Sequence, residues 1–484
     1  MASFMIYDLI FLVAFAIFVS VFLYTRKHNL KRDGLLFLYR TSWGIKLINY
    51  LGNKYRKTLK VLSYVSIATG YLLMVGIFYV IYTIVKVYLF NPSLVRAIKI
   101  PPILPLVPYL PQMFKLDFLP PFYFTYWIVI LAVIAITHEM AHGIFAVYNK
   151  IKVKTTGFGF FPFFLPVFLA AFVELDEKKM AKKSEFKQMA ILSAGTFANV
   201  LTAILFFGVL WIFFTTAFVP SGVMFDSYAT SAIAISGISS VNGINVNLPR
   251  VDNSSVSYED VIKLTNSDGL NRIGVGSKSY LITKEALEKQ NGTMGVIGVY
   301  DSAPAIKANL SSVILEINGI KVDSINKLAE ELSKYSPGTK VMIKTKTKEG
   351  SDLREIILEE HPEKSGTSWL GIGFFGQKKV GVVGSLVQKM SSFREQGVYY
   401  EPKFDGISIF VYNLLWWVIL ISLSVALMNM LPVGIFDGGR FFYLTVLSIT
   451  KNEKIAKKAF AFSTYFFLFI LLLLMLFWAI SFIR

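Results

Sequence analysis

The sequence predicts a polytopic α-helical membrane protein of about six spans plus a re-entrant hairpin, with two extramembrane α+β modules inserted between spans. Three observations predict it. First, the 484 residues are 54% hydrophobic and only 17% charged, with a mean hydropathy of +0.56, which suits a chain solvated largely by lipid. Second, the net charge is +18, but Lys and Arg gather in short segments beside apolar runs. That is how topology-setting loops look, so the expected partner is a lipid bilayer and no nucleic acid is expected. Third, one long polar region carries an internal repeat. The chain has no cysteine, which excludes disulfides, thiolate metal sites and cysteine nucleophiles.

Residues 1–121 read as two spans, Ile6 to Tyr24 and Val61 to Val85, joined by a basic segment that includes Arg26, Lys27, Lys31, Arg32, Arg40, Lys54, Arg56, Lys57 and Lys60. The positive-inside rule places that segment in the cytoplasm. A Pro-rich outer loop, Asn91 to Pro121, follows. Residues 122–219 hold a span from Phe122 to Tyr148, an ambiguous piece from Thr156 to Leu175, and a span from Gln188 to Phe218. Two Gly and two Pro in 156–175 argue against a continuous helix there, so a hairpin buried against protein is expected. Ala190, Ala194 and Ala198 give the next span a face of small residues suited to close helix packing. Gly406 to Met430 crosses again, and Phe441 to Ile449, too short to span, reads as a half-helix. Ala459 to Ile483 makes the last crossing. Residues 406–450 and 451–484 are therefore expected as separate membrane segments.

The polar region divides into modules at 220–297 and 298–378, then a linker at 379–405. Val241-Asn242-Gly243-Ile244-Asn245-Val246 matches Ile317-Asn318-Gly319-Ile320-Lys321-Val322, and Asp226-Ser227 matches Asp301-Ser302. Met294 to Gly298 matches Leu370 to Phe374. Asn-Gly between two apolar runs predicts a tight strand–turn–strand unit, and a helix is expected from Ser324 to Tyr335. Ser302-Ala303-Pro304-Ala305 leading into Ile317-Asn-Gly-Ile-Lys-Val resembles the PDZ domains of membrane and periplasmic proteases. The first copy lacks the Pro. The resemblance implies that an extended peptide, often a C-terminus, adds a strand to a sheet edge.

The chemistry concentrates in His138-Glu139-Met140-Ala141-His142, late in the 122–148 span. Positions i and i+4 share a helix face, so both imidazoles can reach one zinc ion, with Glu139 beside it as general base. Ionisable groups at membrane depth cost about 2.5–3.5 kcal/mol each, so they are rarely idle. His138 falls ~24 Å from the outer end of its span, toward the cytoplasmic side. A third ligand must come from few candidates, chiefly Glu174 and Asp437. A re-entrant 156–175 lets both the 122–148 and 406–430 spans run inward, which brings Asp437 to the side of the histidines; a full crossing would separate them. Asn199, inside an apolar span, is a further site candidate.

These motifs resemble the site-2 protease family of intramembrane zinc metalloproteases. His138-Glu-Met-Ala-His142-Gly is similar to its histidine motif, and Asn429-Met-Leu-Pro432 with Asp437-Gly438 is similar to its Asn-x-x-Pro-x-x-x-x-Asp-Gly motif. Ala194-Gly195-Thr196-Phe197-Ala198-Asn199 is similar to a third element but has Thr196 where Pro is usual. The resemblance implies a catalytic Zn2+ on His138, His142 and Asp437, Glu139 as base, and Asn199 and Asn429 holding substrate backbone or the oxyanion. It also implies regulated intramembrane proteolysis of a membrane-protein substrate with a transmembrane segment, with the active site toward the cytoplasm and the PDZ-like domains outside, filtering or sensing substrate. A proton or cation transporter using the same groups, and a catalytically idle PDZ-displaying scaffold, are the alternatives.

Overall fold

The computed structural model describes residues 2–33, 36–91, 95, 101–102, 105–116, 119–160, 169–246, 256–290, 295–347, 349–374 and 392–480. Two compact units divide the chain: residues 1–213 with 409–484, and residues 214–408.

In chain order, the first unit begins with α1 (Ala2–Thr25), the hairpin β1 (Leu30–Asp33) and β2 (Leu36–Thr41), α2 (Ile45–Lys54) and α3 (Arg56–Phe90). It continues through α4 (Phe124–Tyr148), β3 (Val153–Phe160), β4 (Leu169–Leu175), α5 (Glu177–Ala181) and α6 (Glu185–Ala217). The second unit contains β5 (Phe218–Met224), β6 (Ser227–Tyr228), β7 (Thr230–Ala234), β8 (Ser240–Val241), β9 (Ile244–Asn245), α7 (Tyr258–Lys263), β10 (Asn271–Val275), β11 (Lys278–Ile282), α8 (Lys284–Glu288) and β12 (Val296–Asp301). Then come α9 (Pro304–Lys307), β13 (Val313–Ile317), β14 (Ile320–Lys321), α10 (Ile325–Ser333), β15 (Lys340–Thr347), β16 (Gly350–Ile357), β17 (Glu359–His361), β18 (Lys364–Trp369), β19 (Ile372–Gly373) and β20 (Val398–Pro402). The chain closes with α11 (Asp405–Asn429), α12 (Asp437–Thr450) and α13 (Glu453–Ile480).

Six of these helices, α1, α3, α4, α6, α11 and α13, are long and apolar enough to cross a membrane. With all backbone groups bonded internally, such helices are the segments a bilayer tolerates. One core joins four of them to α12, through Leu73 and Met74 of α3, Phe145 of α4, Ala190 and Ala194 of α6, Ala426 of α11 and Phe441 of α12. Of the small residues on α6, Ala190 and Ala194 lie in it, almost fully or fully buried, and Ala198 is half-buried.

The ambiguous piece resolves into strands. β3 and β4 pair antiparallel, Val153 opposite Leu175 through Phe160 opposite Leu169. Residues 161–168, with Pro162 and Pro166, lie outside the described residues. The sequence did not anticipate that β1 and β2, from the basic segment, would extend this pair into a four-stranded sheet of order β1-β2-β3-β4. That order leaves β4 at one edge.

In the second unit both Asn-Gly turns form. Asn242 and Gly243 have φ of 52° and 82°, and Asn318 and Gly319 have 48° and 82°, the double positive φ of a type I′ hairpin turn. The helix expected from Ser324 to Tyr335 forms as α10, capped by Ser324, which accepts from Lys327 N. The expected module boundaries need correction. β5 pairs with β13 and β20, and Val223 and Phe225 pack with Ile314 and Val341. Residues 218–228 thus join the second module, and the first, built on the sheet β7-β12-β11-β10-β8-β9, is inserted within it. A short strand contributes backbone pairing and core side chains wherever the sheet needs them, regardless of its place in sequence. Part of the expected linker is likewise strand β20; residues 379–391 and Met294 lie outside the described residues.

Candidate metal centre

α4 carries the centre. Its first turn is capped from another helix: Asp8 of α1, 2% exposed, accepts from Phe124 N at 2.8 Å, Thr125 N at 2.9 Å and Tyr109 OH at 2.5 Å. Otherwise unbonded N–H groups at a helix start are thereby satisfied by a carboxylate. A lone acid in an apolar span was the legible signal for Asp8, and sequence reading passed over it.

Fourteen residues on, His138 and His142 project together. Their Nε2 atoms are 3.0 Å apart, and each lies 3.3 Å from Asp437 Oδ2. Asp437 opens α12, placed by a tight turn of residues 430–436. A Cβ on Gly438 would lie 2.5 Å from Met430 O, and one on Gly439 would strike Val433. Only glycine lets that backbone pass so close. The third wall is α6: a Cβ on Gly195 would come within 2.5 Å of His138 Nε2 and would also strike His142. The sequence showed Gly195 as part of the Ala194–Asn199 element, without this contact to the histidines.

The hydrogen bonds at the rear of each ring decide what the centre can hold. His142 Nδ1 lies 2.7 Å from Ile191 O. A carbonyl oxygen accepts, so Nδ1 carries the proton and Nε2 presents a lone pair inward. His138 Nδ1 lies 3.0 Å from the Asn199 amide nitrogen, while Asn199 Oδ1 is buried without a partner. Turning the amide end for end would put Oδ1 against a protonated Nδ1, the orientation that a ring ligating through Nε2 requires. Two imine nitrogens and a carboxylate oxygen then converge with no hydrogen among them. Lone pairs this close repel unless a cation lies between, and ligands 2.0–2.1 Å from a tetrahedral zinc stand about 3.3 Å apart. His138, His142 and Asp437 fit the ion.

The remaining expected residues take different places. Glu139 is half-buried, and its Oε2 accepts from Val173 N of β4 at 2.9 Å. A cavity of about 30 Å³ opens beside it, bordered by Trp43, Thr156 and Phe172, room for one water. Asn199 is fully buried, and its side chain engages the His138 ring. Asn429 ends α11 half-buried, and its side chain makes no hydrogen bond among the described residues. Glu174, the other carboxylate considered, is occupied by Arg40 at 3.3 Å and Thr155 Oγ1 at 2.9 Å.

The family model described as Peptidase family M50 matches residues 126–474, a stretch holding His138, Glu139, His142, Asn199, Asn429 and Asp437. No curated protein matches the chain.

Proposed function

We propose, since this chain belongs to peptidase family M50, that it is a zinc endopeptidase cutting a peptide bond in or near a transmembrane segment of another membrane protein. The family consists of membrane metalloproteases of the site-2 protease kind, and six apolar helices make the chain an integral membrane protein. The observation that carries the proposal is the convergence of His138, His142 and Asp437, with ligand atoms within 4.8 Å of one another and Glu139 next to the first.

Bound zinc would supply Lewis acidity to the scissile carbonyl and to a water molecule. The chain does the rest. Ile191 O and the Asn199 amide hold the two rings in the tautomer that faces Nε2 inward. Glu139 takes the proton of the attacking water and passes it to the leaving amine. A transmembrane helix hides its peptide bonds, so it must be unwound to be cut. The open edge of β4 supports that step, since an extended substrate can pair there as a fifth strand. Asn429, near the same turn, is the remaining candidate for holding substrate.

The paired modules of the second unit, each with a strand, an Asn-Gly turn and a strand, support PDZ-like domains that sense a trimmed peptide end or exclude bulky substrates. The distribution of Lys and Arg supports an active site toward the cytoplasm and these modules outside. The experiment is cleavage of a transmembrane reporter by the purified protein in detergent, beside Glu139→Gln and a zinc chelator. Loss of cleavage in both is expected. Cleavage that persists in either overturns the mechanism, and stoichiometric zinc without cleavage by the wild type overturns the activity.

A further inference from the structure

We propose that α2 and the first turns of α3 form a docking surface for the headgroups of anionic phospholipids. The region stands out by what it lacks. No Asp or Glu occurs between residues 34 and 116, and among the described residues Lys46, Lys54, Arg56, Lys57 and Lys60 have no carboxylate within 4 Å. Elsewhere carboxylates stand among the basic residues: Arg440 pairs with Glu177 at 2.7 Å, Lys457 with Glu453 at 2.7 Å and Lys179 with Asp176 at 3.7 Å. Here the negative charge must come from outside the chain.

Two further features say that it comes from a membrane. The cations are held in place by rings, Lys54 over Tyr50 at 4.8 Å and Arg56 over Tyr148 at 5.6 Å, which keeps their charge at the surface without neutralising it. Around them, Trp43 is 63% exposed, Tyr50 52% and Leu47 48%. An exposed face of aromatic and aliphatic side chains among lysines matches the boundary between headgroups and acyl chains. The opposite face of α2 is fixed: Ile48 is fully buried, and Cβ atoms on Gly52 and Gly143 would crowd Val147 and Ile48. The surface is therefore rigidly joined to α4, one residue beyond His142. Charge, apolar exposure and rigidity together fit a phosphate-bearing lipid.

The test uses the full chain in mixed micelles, counting retained lipids by native mass spectrometry with phosphatidylglycerol and phosphatidylcholine as competing probes. Wild type should retain phosphatidylglycerol preferentially. Each cation near an anionic surface strengthens binding about fivefold, so Lys54→Gln/Arg56→Gln/Lys57→Gln together should lower that preference at least about tenfold after screening. The triple variant leaves Arg26, Lys27, Lys31, Arg32, Arg40, Lys46 and Lys60 in the same loop, so the determinants of membrane orientation remain. A parallel variant, Lys179→Gln/Lys451→Gln/Lys457→Gln, in which each replaced lysine lies within 4.0 Å of a carboxylate, should keep the wild-type preference. Unchanged preference in the first variant, an equal loss in the second, or displacement of the lipid by millimolar inorganic phosphate would each overturn the proposal.

Discussion

Gly195→Ala adds one methyl group to a helix and should dismantle the metal centre. The new Cβ would stand 2.5 Å from His138 Nε2 and against His142 Nε2, where ordinary contact begins near 3.4 Å. The rings must retreat by about 0.9 Å, and Ile191 O and Asn199 behind them leave no slack. Zinc–nitrogen distances tolerate about ±0.2 Å, so a displacement several times larger loses a ligand or forces α6 away from α4. Metal affinity should fall by at least 10- to 100-fold, the size of effect that disturbed ligand support produces. The comparison is Gly208→Ala on the same helix, where a Cβ meets nothing within 4 Å. There the helix-propensity gain of up to about 1 kcal/mol should appear unopposed. Zinc titration against a chromophoric chelator, with thermal unfolding in detergent, reads both. If Gly195→Ala binds zinc as wild type does, the packing argument for the centre is wrong.

Three other outcomes follow from the same geometry. Asn199→Leu, which removes the acceptor behind His138, should weaken zinc binding about 10- to 100-fold by the same titration, while Asn199→Asp, which keeps an acceptor, should recover most of it; equal affinity in all three would deny Asn199 any hold on the ring. Asp8→Ala strands the Phe124 and Thr125 N–H groups and should cost about 1–3 kcal/mol in unfolding free energy, measured by denaturant titration in micelles. Glu331, 3% exposed, accepts from Lys334 and Tyr335, and the Lys334 hydrogen bond in particular holds its carboxyl below the usual 4.5. A depressed pKa stabilises the fold above the unfolded value and loses that contribution as pH falls through the folded one. Hydrogen-exchange protection of α10 should therefore drop as pH falls below 4.5, and Glu331→Gln should flatten that dependence.

The membrane helices were legible because length and apolarity are nearly sufficient in a bilayer: the expected span from Phe122 to Tyr148 is α4 to within two residues. The Asn-Gly turns were legible because few residues accept two successive positive φ values. The sheet was less so. β1 and β2 are rich in Leu and Arg without a clean alternation, and the pairing of β2 with β3 depends on a segment more than 110 residues away. The insertion of one module into the other escaped for the same reason, since pairing partners are not written locally. At the metal centre, the motif residues are chemically distinctive. Ile191 O and Val173 N act through backbone, which leaves no mark in residue identity, and the glycine at 195 is visible in the sequence but the two rings that require it are not.

The bond between Glu139 and Val173 N has a consequence for timing. That N–H belongs to the free edge of β4, the edge an extended substrate would use. A strand laid there must claim the donor that now holds the carboxylate, so arrival of the substrate and release of the base would be a single event. Without substrate, the enzyme would rest with its safety catch on, its base hitched to the scaffold.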